Sequence, residues 1–228
     1  MADGPPIARV AALIGDATRA EMLATLMAGQ ALTATELAQR AGVGKATASA
    51  HLARLVEAQL LAVSAQGRHR YFRLADPDVA QLLESLMGVA TRSGAKRLRP
   101  GPKEPALREA RVCYDHLAGE RGVELMAGLR QRGLLPEGEG VLPLAPQAAP
   151  LFERLGLDFS ALSGQRRPLC RTCMDWSERR HHLGGALGAA VLEKVLALRW
   201  ARRETGSRVL HFSGAGEAAW AAWIHSAP

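Results

Sequence analysis

"LTATELAQRAGVGKATASAHLARLVEAQLL", residues 32 to 61, decides how the N-terminal part of the chain folds. Thr33 stands where a cap would open a short helix, Ala41, Gly42 and Val43 make a tight turn, and a longer helix is predicted from Gly44 to about Ala58. That second helix gathers Leu52, Leu55 and Val56 on one side and leaves Lys45, Thr47, Ser49 and Arg54 on the other, the mixture needed to touch bases and phosphates in a major groove. His51, on the same helix, has two readings: a polar end packed beneath the helix and touching phosphate, or an effector ligand. Upstream, Ile7, Val10, Leu13, Ile14, Met22, Leu23, Leu26 and Met27 fall at helical spacings and are expected to form core, with Asp16 capping the second of two helices. Downstream, "LAVSAQGRHRYFRL" (61–74) alternates around Gly67 as a β-hairpin would, and Arg68, His69 and Arg70 at its tip could grip backbone phosphate.

Three of these stretches, "DATRAEMLATL" (16–26), "TATELAQRAGVGKATASAHLARLVEAQLL" (33–61) and "GRHRYFRL" (67–74), resemble the arsenic-repressor-type (ArsR) winged-helix regulators, a likeness that covers roughly residues 7 to 90. The resemblance implies a symmetric homodimer whose two recognition helices enter successive major grooves of a duplex DNA operator, and a repressor released by an effector. It also places Thr47, Ser49 and Arg54 on the base-facing helix, and Arg68 and Arg70 on the wing. Metal-sensing members of that family carry a cysteine pair within a motif like "ELCVCDL", where this chain reads "ELAQRAG" (36–42), so the thiolates of that helix are missing. On "DPDVAQLLESLMGVATR" (76–92), Asp76 and Asp78 are expected to cap the helix rather than to pair at metal spacing. A sensor, if the chain has one, is therefore expected further along.

The chain has 228 residues, of which 48% are hydrophobic and 22% charged, a globular composition with length for two domains. No run of eighteen apolar residues occurs and "MADGPPIARV" lacks the layout of a secretory signal, so a cytoplasmic protein with no membrane partner is expected. Three cysteines, an odd number, argue against a disulfide framework and leave ligation, sensing or burial as their roles. The net charge of +7 points to polyanionic partners. Its local source is clear: Arg40, Lys45, Arg54, Arg68, Arg70 and Arg73 face a single acid, Glu57, between positions 40 and 73.

Residues 93–105, "SGAKRLRPGPKEP", combine Gly, Pro and cations as a linker does, or lie along DNA. They separate a winged helix-turn-helix DNA-binding and dimerisation domain (1–92) from a second domain (106–228). In the latter, "CYDHLAGERGVELMAGLRQRGLL" (113–135) and "CMDWSERRHHLGGALGAAVLEKVLALRW" (173–200) share an order: cysteine, acid, His-Leu-small-Gly, then a helical pattern. An extended piece and an apolar helix follow in each. Gly119 and Gly185 lie 66 positions apart, and Val141 and Val209 lie 68 apart, so the domain is read as a duplication with copies about 106–160 and 166–225. The fold class is mainly α with small β-hairpins (α+β), an N-terminal winged helix followed by a duplicated, α-rich, winged-helix-like effector-sensing or dimerisation domain.

A pseudo-twofold between the copies would bring Cys113 and His116 toward Cys173 and His182, four ligands of the kind that zinc, other thiophilic metals and trivalent arsenic select. The stretch "LCRTCMDWSERRHHLGG" (169–185) admits three other accounts. Cys173 could be a low-pKa thiol near Arg171, Arg179 and a helix start at Ser177, pairing with Cys170 or Cys113 on oxidation. Arg166, Arg167, Arg171, Arg179 and Arg180 with Trp176 could surround a small anionic or aromatic ligand. Or Ser177, Glu178, Trp176, His181 and His182 serve only the fold. Cys170 has no counterpart in the first copy; Asp175, Trp176, Arg179 and His181 are, with it, secondary candidates. The cofactor is thus open between zinc or another thiophilic metal or metalloid and none, and the small effector is unidentified. Glycines 184, 185 and 188 make a bare helix face for close packing or a flat ligand, while Trp200, Trp220 and Trp223 sit in apolar helical patterns. The chain carries no nucleophile elbow, phosphate loop, dinucleotide fingerprint or HExxH. A DNA-binding transcriptional regulator, not an enzyme, is the expectation; the rivals are a constitutive DNA-binding protein without effector and a Cys/His enzyme.

Overall fold

The computed structural model describes residues 7–67, 69–93 and 104–225. The chain divides into two compact units, Met1–Leu83 and Glu84–Pro228.

In the first unit, α1 (Ile7–Ile14) and α2 (Ala17–Leu26) precede β1 (Leu32–Thr33), α3 (Ala34–Arg40) and α4 (Lys45–Glu57). Asp16 caps α2 by accepting from the Arg19 amide at 2.9 Å. Thr33 caps α3 in a reciprocal box with Glu36, whose carboxylate takes the Thr33 amide at 2.7 Å. Gly42, at φ +66, makes the turn between α3 and α4, and nothing lies within 4 Å of where its Cβ would be. The wing is β2 (Leu61–Gln66) with β3 (His69–Leu74), antiparallel; β1 pairs with the other edge of β3, giving the order β1-β3-β2. Met22, Leu23, Leu37, Leu52, Leu55 and Leu74 fill the core beneath.

One expectation needs correction. The apolar residues of α2 are core, but α1 buries none of its residues and Ile7 is 78% exposed. Helical spacing identifies an apolar face without saying what covers it.

The helix α5 (Pro77–Ser93) runs without a break across the division at Leu83 and Glu84; the Asp76 carboxylate caps it through the Val79 amide at 2.9 Å. Residues 94–103, most of the stretch read as a linker, lie outside the described residues, as does Arg68.

In the second unit a β-hairpin followed by a long helix occurs twice, once in each of the segments read as copies. The first copy runs α6 (Pro105–Glu109), β4 (Arg111–Cys113), β5 (His116–Ala118), α7 (Glu120–Gln131), a 3-10 turn (Pro146–Ala148), α8 (Ala149–Arg154) and α9 (Phe159–Ser163). The second runs β6 (Arg171–Met174), β7 (His181–Gly184), α10 (Gly185–Ala197), β8 (Ala201–Arg203), β9 (Leu210–Phe212) and α11 (Gly214–His225). In each copy the hairpin precedes the long helix, whereas in the first unit the wing follows the recognition helix.

The copies are interlocked. Val209 of the second copy bridges to Arg111 of the first, and Val141 of the first bridges to Arg171 of the second. Helix α10 packs on β5, and α7 packs on β7. Gly119 and Gly185 occupy equivalent places at φ +82 and +84, a left-handed conformation that side chains resist, and they turn each hairpin into its helix. Phe152, Trp220 and Trp223 form an aromatic centre, with edge contacts at 5.9 Å (Phe152 to Trp223) and 5.7 Å (Phe212 to Trp220). The indole N–H of Trp223 donates to the Leu151 carbonyl at 2.9 Å and that of Trp220 to Glu124 at 3.0 Å, so both rings are buried with their polar atoms satisfied. Among the described residues, no helix is long and apolar enough to cross a membrane.

Candidate metal centre and candidate nucleic-acid interface

In the first unit, α4 turns Ala48, Leu52 and Leu55 inward and leaves Lys45, Thr47, Ser49 and Arg54 exposed along its outer side. His69 and Arg70 are exposed at the start of β3. His51 differs. Its Nδ1 lies 3.2 Å from an Arg19 guanidinium nitrogen and 3.9 Å from Asp16, and the Arg19 guanidinium also donates to the Leu13 and Ala12 carbonyls at 2.6 and 2.9 Å. His51 is therefore fastened beneath the recognition helix to the end of α1 and the cap of α2.

In the second unit, hairpin register places the four primary candidates. Cys113 stands opposite His116 across the β4–β5 ladder, and Cys173 stands opposite His182 across β6–β7. Directly opposed residues project to one face of a sheet, so each hairpin offers one sulfur and one imidazole together. The two faces meet. The Cys113 and Cys173 sulfurs are 3.8 Å apart, the His116 and His182 Nε2 atoms are 3.1 Å apart, and the four ligand atoms all lie within 4.8 Å of one another. All four residues are buried.

Glycines permit this approach. A Cβ on Gly122 of α7 would collide with the Leu117 carbonyl and stand 3.2 Å from the His182 Cβ; one on Gly188 of α10 would collide with the Leu183 carbonyl and stand 3.3 Å from the His116 Cβ. Each long helix thus seats the histidine of the other copy.

Carboxylates hold the imidazoles from behind. Asp115 meets His116 Nδ1 at 3.0 Å and is clasped by Arg167 at 2.6 and 3.2 Å. Asp175 lies 3.3 Å from His182 Nδ1, an ion-pair distance without the alignment of a hydrogen bond. Its own oxygens accept from Arg111 at 2.7 Å, from the Gly119 amide at 2.7 Å and from the Ser177 hydroxyl at 2.7 Å. Burial alone would raise the Asp175 carboxyl, but the contact with His182 and the charge of Arg111 hold it far below the usual carboxylate range. Burial would likewise lower His182, yet its contacts with Asp175 and Cys113 push it up to about 9. A hydrogen bond shared with Cys173, together with burial, drives the Cys113 thiol well above its ordinary value.

The secondary candidates separate. Cys170 belongs to the hydrophobic core, where burial pushes its thiol up to about 12. Trp176 carries the Arg111 guanidinium over its ring at 4.9 Å. Arg179 is exposed in the β6–β7 loop at φ +56, and His181 pairs with Glu139 at 3.7 Å. One expectation fails. No helix starts at Ser177: it lies in the hairpin loop, where Asp175 accepts from its amide at 3.0 Å, and α10 begins at Gly185. Of the arginines grouped with Trp176, Arg167 is committed to Asp115, and the cation over the indole is Arg111.

Arg111 is what sequence reasoning missed. It is fully buried, bonded to Asp175, to the Ser177 hydroxyl at 2.9 Å and to the Leu107 carbonyl at 3.2 Å, and 3.6 Å from Glu84. Its one signal in the sequence was its place two residues before Cys113, which the duplication matches with Arg171 two before Cys173.

Helix, turn, recognition helix and wing define the first unit as a winged helix-turn-helix DNA-binding domain. A helix-turn-helix domain family matches residues 14–64. YdfF of Bacillus subtilis (strain 168), described as an uncharacterized HTH-type transcriptional regulator, is 39% identical over 215 residues, covering 94% of this chain and 95% of its own. The chain belongs to the HTH-type transcriptional regulators. Solved structures are similar over the first part of the chain. The homodimeric winged helix-turn-helix domain of Mb0332 from Mycobacterium bovis, a possible ArsR-family regulator, is 28% identical and covers 40% of this chain and 90% of its own, with a TM-score of 0.35. The cadmium metal-sensor CMTR from Mycobacterium tuberculosis is 27% identical and covers 42% and 98%, with a TM-score of 0.32.

Proposed function

We propose that this transcriptional regulator is a homodimeric repressor that grips a partly palindromic operator through α4 and the wing, and lets go when an effector acts at Cys113, His116, Cys173 and His182. The observation that carries the sensory part is the convergence of two thiols and two imidazoles from two repeats onto one buried locus, in a regulator whose α3 lacks thiols. Support for the dimer comes from exposed apolar faces: Leu82 and Leu86 lie on the surface of α5, and α1 buries none of its residues. Burial of both Cys113 and Cys173 counts against a Cys/His nucleophile, which needs substrate access.

Arg54→Ala is expected to weaken operator binding by about 1–3 kcal/mol through loss of its bond to a base edge. Replacing Arg68 and Arg70 together should weaken binding to all duplexes alike and flatten the salt dependence by about one unit of slope for each phosphate no longer neutralised. Fluorescence anisotropy on the promoter of its own gene and on scrambled DNA, at several salt concentrations, separates the two. Unchanged affinity in both variants would remove the interface from α4 and the wing. Under the same assay, Cys173→Ser should bind DNA as the parent does but no longer respond to zinc, arsenite or oxidant; an intact response would move the sensor elsewhere.

A further inference from the structure

We propose that Cys113, His116, Cys173 and His182 bind one divalent cation of the zinc class in a closed tetrahedral site that ties the two repeats together. This deepens the reading of the cluster as the effector locus and rests on it.

Three independent features select the occupant. Geometry is the first. A tetrahedral ion with Zn–S near 2.3 Å and Zn–N near 2.05 Å sets its two sulfurs about 3.8 Å apart and its two nitrogens about 3.3 Å apart. The sulfurs here are at 3.8 Å and the nitrogens at 3.1 Å, and the four atoms span at most 4.8 Å, so the thiol pair and the imidazole pair have only to draw together by about 1 Å for one ion to reach all four. A two-coordinate ion strung between the thiolates would need them about 4.6 Å apart, twice that bond length, and would leave both imidazoles idle.

The second feature is the direction of the nitrogen lone pairs. Each Nδ1 faces a carboxylate, Asp115 at 3.0 Å and Asp175 at 3.3 Å, and the two Nε2 atoms face each other across 3.1 Å, so rings carrying their hydrogen on Nδ1 would offer both Nε2 lone pairs to one ion between them. Carboxylate, imidazole and metal in line is the usual outer arrangement of zinc sites. A proton shared between the imidazoles would relieve the nitrogens alone; a metal ion also takes up the two sulfurs beside them.

Charge is the third. Asp115 is balanced by Arg167, and Asp175 by Arg111, so neither carboxylate adds net charge to the locus. Two thiolates and a divalent ion sum to zero in a site where all four ligands are buried. A monovalent ion would leave one negative charge, and a trivalent one a positive charge, each costly away from water. With four protein ligands no coordination position stays open, which suits structure and sensing rather than catalysis.

The test uses the full-length protein stripped of metal and titrated with Zn(II), and with Co(II) as a spectroscopic stand-in. The expected result is one ion per chain by native mass spectrometry, tetrahedral ligand-field bands with thiolate-to-cobalt charge transfer, and a higher thermal midpoint when loaded. Cys173→Ser should lose about half of the charge-transfer intensity, one of two thiolates, and Cys170→Ser none. Asp115→Asn, which keeps all four ligands but weakens the support behind His116 and its clasp by Arg167, should weaken zinc binding about 10- to 100-fold. Because the cobalt spectrum of the unaltered protein is itself diagnostic, misfolding of a variant does not shelter the proposal. It is overturned by a chain that takes up no zinc, by an octahedral cobalt spectrum, by a Cys113→Ser, Cys173→Ser double variant that still holds the ion, or by a Cys113–Cys173 disulfide in protein kept anaerobic. Zinc bound as described with operator affinity unmoved supports this site and defeats the sensory reading. Operator release by another agent in a chain that takes up no zinc does the reverse.

Discussion

Arg111→Met should destabilise the second unit by about 3–5 kcal/mol, the cost of leaving buried charges without their partner. Methionine keeps much of the volume but not the cation over Trp176, so the loss reports the guanidinium. Asp175 would forfeit its 2.7 Å bond while remaining fully buried. Glu84, 1% exposed, accepts no hydrogen bond from any described residue and is held by Arg111 and Arg208, each at 3.6 Å. Removing one of two cations leaves that carboxylate with Arg208 alone. Arg111→Lys should recover only part of the loss, because an ammonium supplies charge but not the fork that reaches Asp175, Ser177 and Leu107 together. All four tryptophans lie between positions 176 and 223, so urea unfolding followed by indole fluorescence reports on this unit selectively. A shift below about 1 kcal/mol, the size of an ordinary surface change, would mean that the charges are not buried as described.

Gly188→Ala should cost about 3 kcal/mol, the upper end of the overpacking range, because the obstacle is backbone. The new methyl would strike the Leu183 carbonyl, with the carbonyl carbon at 2.9 Å and the His116 Cβ at 3.3 Å, so α10 must back away from both hairpins. The same substitution at Gly128 of α7 meets only the Ile224 Cγ2 at 3.4 Å and should be neutral or stabilising by up to about 1 kcal/mol, the usual gain of alanine over glycine inside a helix. The pair makes an internal control, read by thermal unfolding. Equal effects at both positions would show that the tight seat under His116 does not exist. Gly188→Ala should also disorder the four-ligand locus, since His116 moves with the helix that supports it.

Sequence reading reached the recognition helix because several local signals agree over residues 32–74: a helix start at Thr33, a glycine turn, an apolar stripe and a two-periodic wing. It reached Cys113, His116, Cys173 and His182 by another route, the shared order of residues in two copies, which carries tertiary information that a lone Cys-x-x-His does not. What escaped it was contact at long range. Nothing local marks Arg111 as buried, because an arginine at the start of a β-strand is ordinarily a surface residue. The helix expected at Ser177 failed because Ser-Glu after an aspartate suits a helix cap and a hairpin loop equally, and only the pairing of β6 with β7 decides between them. The apolar face of α1 was visible, but its lack of cover was not: periodicity reports a face, and burial depends on a neighbour.

The exchange of segments between the repeats, Val209 onto Arg111 and Val141 onto Arg171, means that neither half owns the parts that complete it. Severing the chain in the stretch from Gly164 to Pro168 should yield two fragments that are unstructured apart and regain their shape on mixing. Such mutual dependence is what a fused pair of once-separate identical subunits would inherit, their axis of symmetry preserved as the seam of a single polypeptide.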